Sequence, residues 1–354
     1  MQIKLTEPKS TLMPLLLIAP FFLWGTAMVA MKGTIPHTTP LFMASIRLIP
    51  AGVLILVATF IMGRPQPQGW KAWLWIALFG LIDATLFQGF LAEGLMRTGA
   101  GLGSVMIDSQ PIAVALMARV LFGETIGLWG WLGLGFGVMG ISLLGLPKAW
   151  ILGLLQGDTS AIELGEDIVQ QLFQNGQWLM LLAALSMAVG TILVRYVSKH
   201  VDPVTATGWH MILGGVPLLI GSAVWESGQW INLHGLDWLA LSYSTLFGSA
   251  IAYGLFFYFA ASGNLTSLIS LTFLTPVFAL LFGNLFLGEV LGSLQWFGVG
   301  LTLISIYLIN QREQLLQKFR FGRSVWEAAD SDPDLASEVA QSIPIEMKSE
   351  LSSK

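Results

Sequence analysis

Phe122-Gly123-Glu124-Thr125-Ile126-Gly127 is followed by Trp131, Gly133 and Gly135. The same pattern returns as Leu287-Gly288-Glu289-Val290-Leu291-Gly292, followed by Trp296, Gly298 and Gly300. The two stretches stand 165 residues apart. At that offset Gly25-Thr26 falls on Gly190-Thr191, Trp73-Leu74 on Trp238-Leu239, Gly89 on Gly254 and Pro111 on Pro276. A register held over so many positions marks an internal duplication. It divides the chain into units at 12–146 and 177–310, with a short terminus at 1–11, an insert at 147–176 and a tail at 311–354.

Composition says where such units reside. Of the 354 residues, 55% are hydrophobic and 11% charged, and the mean hydropathy is +0.72. A soluble domain carries roughly a quarter charged residues, so this surface is built for lipid. The absence of cysteine excludes a disulfide framework, thiolate catalysis and Cys-ligated metal centres. Four histidines argue against a metalloenzyme, and the net charge of −4 with no basic patch argues against nucleic acid.

A spanning helix needs about 20 mostly apolar residues. Ten runs qualify: 12–31, 41–62, 70–91, 102–122, 128–146, 178–197, 205–224, 236–259, 265–287 and 294–309. They are continuous and do not alternate with period two, so the expected fold is all-α, an integral membrane protein with ten transmembrane helices. The first run has no small-residue cleavage site and is expected as a retained helix. With the N-terminus in the cytoplasm, ten Lys and Arg near span ends lie inside (Lys4, Lys9, Arg64, Lys71, Arg195, Lys199, Arg312, Lys318, Arg320 and Arg323). Only Lys32, Arg97 and Lys148 lie outside. That bias puts both termini in the cytoplasm. Five spans per unit is odd, so the second unit enters from the opposite side. Two inverted five-helix repeats with a site at the midplane are the architecture of secondary transporters. In the outer insert, Ala161, Leu164, Ile168, Leu172 and Phe173 predict a short amphipathic helix. The acidic tail after Ser324 is expected to be disordered.

Further residues carry a family resemblance. Trp24-Gly25, Arg47, Gln110-Pro111, Leu121-Phe122-Gly123-Glu124, Gly133 and Gly140, with Thr275-Pro276, Leu287-Gly288-Glu289 and Gly298, resemble the EamA-type permeases of the drug/metabolite transporter superfamily. The stretch from Asp83 to Pro111 resembles their cyanobacterial and chloroplast branch. The resemblance covers roughly residues 12–310. It implies ten helices in two units and the export or exchange of small organic metabolites such as amino acids or drug-like compounds. It implies a cell (inner) membrane location, leaves the thylakoid membrane open, and admits a homodimer.

Charges inside spans are the first functional candidates, because such residues face a cavity or a partner. Asp83 falls near the middle of the third span, Asp108 within the fourth and Glu93 near the outer end of the third. Each reads as a proton-coupling or cation-binding carboxylate, or as one half of an ion pair. Arg47 is the expected partner, for example of Asp108 or Glu93, with contact to an anionic substrate group as the alternative. Trp24, Gln88, Gln110, His210, Tyr253 and Tyr258 supply aromatic and polar groups for a substrate cavity. Pro111 and Pro276 are expected mid-helix, each removing a backbone hydrogen bond at the cavity wall. The duplicated Glu124 and Glu289 suit capping of the next helix.

Gly135-Phe136-Gly137-Val138-Met139-Gly140 matches a dinucleotide fingerprint, but it lies in an apolar span with no preceding strand, so helix packing is the expected role. There is no zincin, Walker or nucleophile-elbow motif, and no cofactor is expected. The sequence therefore points to a secondary-active carrier working by alternating access, with lipid, a small solute and protons as partners. A non-transporting receptor or scaffold, or a membrane-embedded enzyme, is the alternative.

Overall fold

The computed structural model describes residues 12–123, 125–146, 151, 174–261 and 271–311. Glu124, the amphipathic pattern of the insert and the acidic tail lie outside the described residues. Among the described residues every regular element is helical. The first half runs α1 (Leu12–Thr34), α2 (Pro40–Ile61), α3 (Gly69–Phe79), a π-helical segment (Gly80–Leu86), α4 (Phe87–Arg97), α5 (Ala100–Ile107), α6 (Gln110–Phe122) and α7 (Leu128–Gly145). The second runs α8 (Gly176–Val197), α9 (Pro203–Trp225), α10 (Gly235–Thr245), a π-helical segment (Leu246–Ile251), α11 (Ala252–Ala261), α12 (Leu274–Leu287) and α13 (Ser293–Asn310).

Seven helical stretches are long and apolar enough to cross a membrane, and three more, Leu128–Leu144, Leu274–Leu287 and Ser293–Ile309, are apolar but shorter. The chain is thus a multi-pass membrane protein. Helices suit that setting because they satisfy every backbone polar group internally. Where helices start or stop, local chemistry supplies the missing partners. Asp202 accepts from the Thr205 amide at 3.0 Å and Asn175 from the Gln177 amide at 2.9 Å. Gly123 and Gly288 end α6 and α12 at φ 67° and 64°, a left-handed conformation that a side chain would oppose.

Two prolines sit differently from expectation. The fourth span breaks at Asp108-Ser109, and Pro111 stands in the first turn of the helix that follows. Pro276 likewise lies in the first turn of α12. There the missing N–H leaves no intrahelical bond unmade. Neither proline is a mid-helix kink; each starts a helix.

Contacts run mainly between the halves: α2 lies on α9, α7 on α13, α1 on α10 to α12, and α8 on α3 to α6. Glycines permit the closest approaches. A Cβ on Gly52 would stand 2.7 Å from the Gly208 carbonyl oxygen, and one on Gly140 would stand 2.8 Å from that of Gly298. Gly137 and Gly140 therefore serve α7–α13 packing, which is the role expected for the fingerprint-like run. Acids stitch the halves as well. Glu226, just after α9, accepts from the Leu41 and Phe42 amides at the start of α2, at 2.9 and 3.1 Å. Glu289 does cap a helix, but not the next one. It reaches the Ala100 and Gly101 amides of α5 at 2.6 and 3.0 Å.

Three outcomes follow for the purified chain in detergent. Gly140→Leu should lower stability by about 1–3 kcal/mol through overpacking, read as a lower thermal midpoint. Gly135→Ala, with nothing within 4 Å, should leave it unchanged or raise it by up to ~1 kcal/mol. Glu289→Ala should cost about 1–2 kcal/mol, as cap removal does, with Glu289→Gln intermediate because its amide offers one acceptor oxygen in place of two.

Candidate functional site

The site is built around the π-helical segment Gly80–Leu86, which carries Asp83 into the middle of the third span. A wide turn of this kind re-aims a side chain that a regular helix would point elsewhere. The Asp83 carboxylate lies on the bare Cα of Gly190 in α8, where a Cβ would collide with it. Its Oδ2 stands 3.4 Å from Nε2 of His210 in α9, and both side chains are largely buried. His210 is fixed from two further sides. Phe79 stacks on its ring at 4.2 Å between centroids, and its Nδ1 lies 2.6 Å from the Thr207 carbonyl oxygen.

A second cluster forms where α2, α4 and the segment Leu246–Ile251 meet. Arg47 is buried, with 5% exposure. One terminal nitrogen donates to Gln88 Oε1 and the other to Ser249 Oγ at 3.4 Å. The expected pairing with Asp108 or Glu93 is not formed. Glu93 is five residues beyond Gln88, about 140° around α4, and binds Arg97 at 3.0 Å. Asp108 accepts from Ser104 Oγ at 3.1 Å, on a helix that lies against α1, α8 and α12.

Tyr253 connects the two clusters, since its hydroxyl is within electrostatic range of both Asp83 and Arg47. Trp24 meets the Tyr253 ring edge-on at 5.2 Å and also contacts Phe21 and Phe256. Its indole N–H is buried without a hydrogen-bond partner, as is the Thr275 hydroxyl. Gln110 donates to Thr191 Oγ1 at 2.5 Å, beside the glycine that receives Asp83. The Tyr258 side chain lies outside the described residues.

Ser249, Thr191 and Thr207 were not anticipated. Gly190-Thr191 carried a signal, as a duplicated pair, but Ser249 had none. A cavity of about 540 Å³ opens between α1, α10 and α12, lined by Phe22, Thr26, Val29, Tyr243 and Phe282 among others. Thr26 Oγ1 and the Tyr243 hydroxyl are 2.6 Å apart beside it. None of the substrate-cavity or coupling candidates read from the sequence is among its lining residues. No group of three or more His, Asp or Glu could hold a metal among the described residues.

Comparison with known proteins agrees with this architecture. The EamA-like transporter family matches residues 11–146 and again 174–311. An uncharacterised transporter of Synechocystis sp. is 62% identical over 311 residues, covering 86% of this chain and 92% of that protein. A chloroplastic WAT1-related protein of Arabidopsis thaliana is 52% identical over 298 residues, covering 83% of this chain and 68% of that protein. A solved crystal structure shares the fold at a TM-score of 0.59 and 16% identity, over 85% of this chain and 97% of its own. With both halves matched and such relatives, the chain belongs to the EamA-like transporter family, on its cyanobacterial and chloroplast-like side.

Proposed function

We propose that the chain is a secondary-active carrier of a small organic solute, working by alternating access and coupled to protons. Its ten spans form two inverted five-helix units with both termini in the cytoplasm, in the cell membrane or the thylakoid membrane. The observation that carries this reading is where the polar groups meet. Asp83 meets His210, Arg47 meets Ser249 and Gln110 meets Thr191, each pair joining the two halves within the apolar helices. A site between repeats near the midplane is where inverted-repeat carriers bind their cargo.

The coupling group is the Asp83–His210 pair. His210 Nδ1, at 2.6 Å from a carbonyl oxygen, can only be a donor there. In the neutral ring that leaves a lone pair on Nε2, the atom facing Asp83. Two lone pairs at 3.4 Å repel, so the contact is attractive only with one further proton in the pair, on Nε2 or on the carboxyl. The pair is neutral with that proton and anionic without it. A proton drives transport only if the two access states bind it differently. The Asp83 side sits on α3–α4 and Gly190 on α8, so any movement of α8 against α3–α4 alters the pair's surroundings.

Counterflow in proteoliposomes, with labelled amino and carboxylic acids as cargo, tests the transporter reading. Transient accumulation of label is expected, whereas a receptor, scaffold or enzyme gives none. For one proton per cycle, a gradient of about one pH unit shifts the steady-state distribution about tenfold. Asp83→Asn should abolish that shift while exchange persists. An undiminished pH response in Asp83→Asn sinks the coupling.

A further inference from the structure

Arg47 differs from the other described cations. Arg64 pairs with Asp202 at 2.9 Å, and Arg97 pairs with Glu93. Lys32 donates to the Leu95 carbonyl at 2.7 Å. Arg119 and Arg195 lie over the rings of Trp131 and Phe122. Arg47 is buried inside α2, and both its hydrogen-bond partners, Gln88 and Ser249, are neutral. No carboxylate stands within 4 Å of it among the described residues, and its Nε is buried with no partner at all.

A guanidinium cannot shed its charge to suit its surroundings. An unmatched cation at the depth of a bilayer is costly and is retained where it has work to do. Asp83, the acid of the neighbouring cluster, is engaged with His210. While that pair holds its proton it is neutral, and Arg47 stands as an uncompensated positive charge. Groups linked to it suit an incoming anion: Trp24, whose ring meets Tyr253, has a buried indole N–H without a partner. Gln88 can turn its amide to present N–H in place of the oxygen now facing Arg47. Trp24 and Tyr253 supply apolar ring faces beside these donors.

We propose that Arg47 anchors the negatively charged group of the cargo, a small organic carboxylate with an apolar body packed against Trp24 and Tyr253. This deepens the carrier reading and rests on it. One guanidinium balances one negative charge, so a monoanion matches the site and a dianion leaves a charge unmatched. The fork of the guanidinium fits a carboxylate with two parallel hydrogen bonds. With the anion bound and the Asp83–His210 proton in place, the loaded centre is close to neutral, which is the condition for moving it through the membrane.

The test uses the full chain in detergent and equilibrium dialysis against matched pairs, hexanoate with hexanamide and 3-phenylpropanoate with 3-phenylpropanamide. The wild type should prefer a carboxylate over its amide by about tenfold or more, as expected for hydrogen bonds to a charged group. Arg47→Gln should erase the preference while leaving weak amide binding. Arg47→Lys, which keeps the charge and loses the fork, should retain a reduced preference, so the proposal stays testable if Arg47→Gln fails to fold. Equal binding of acid and amide by wild type, no binding of either acid, or a preference that survives Arg47→Gln overturns it. Counterflow of neutral cargo alone sinks the anion anchor and spares the carrier reading. Carboxylate binding without any counterflow does the reverse.

Discussion

A charge buried in a bilayer must be balanced by another group close by, and the centre of this molecule is arranged around that constraint. Asp83 is held by a π-helical turn against a glycine of the opposite half and faces a histidine whose other nitrogen is already committed to a carbonyl. Under the proposed coupling, the pair's charge is set by whether one shared proton is present. Arg47 belongs to the adjacent cluster, with Tyr253 in electrostatic range of both charges, and on the proposed reading its charge is matched by an anionic cargo.

The helices around this centre are held by close approach more than by polar contacts. In lipid there is no hydrophobic gain in bringing two apolar helices together, so packing of small residues does the work. Gly52 against Gly208 and Gly140 against Gly298 join α2 to α9 and α7 to α13. Gly25 on α1 meets the Thr275 carbonyl, and its duplicate Gly190 on α8 receives Asp83. The same small residue thus packs a backbone in one half and a functional carboxylate in the other. Across the duplication Asp83 corresponds to Gly248, so the charge belongs to one half only. Both halves place a π-helical turn at this level.

Much of this was legible in the sequence, and the failures have physical causes. Apolar runs and the duplicated Gly-Glu stretch gave the helices, because span length and turn chemistry are local properties. Asp83 and His210 each stood out as polar residues in apolar runs, but their meeting depends on the π-turn, which has no local signature. The Arg47 partner was misjudged because an acid anywhere in the neighbouring span looked eligible. The face of α4 that turns to α2 carries Gln88, and Glu93 is on another. Pro111 read as a kink because span length hid a helix break at Asp108-Ser109. Ser249 was invisible, being one of many small polar residues in the spans.

The central claim is that Asp83 and His210 share one proton, and nitrogen NMR of the full chain with ¹⁵N-labelled histidine in lipid tests it most directly. Only four histidines contribute, and His210→Gln assigns the signal. The account predicts a His210 protonated at Nδ1, with an Nε2 resonance that shifts in Asp83→Asn. A neutral ring carrying its hydrogen on Nε2, with Nδ1 bare, would contradict it, since an ionised Asp83 could then be satisfied without any shared proton.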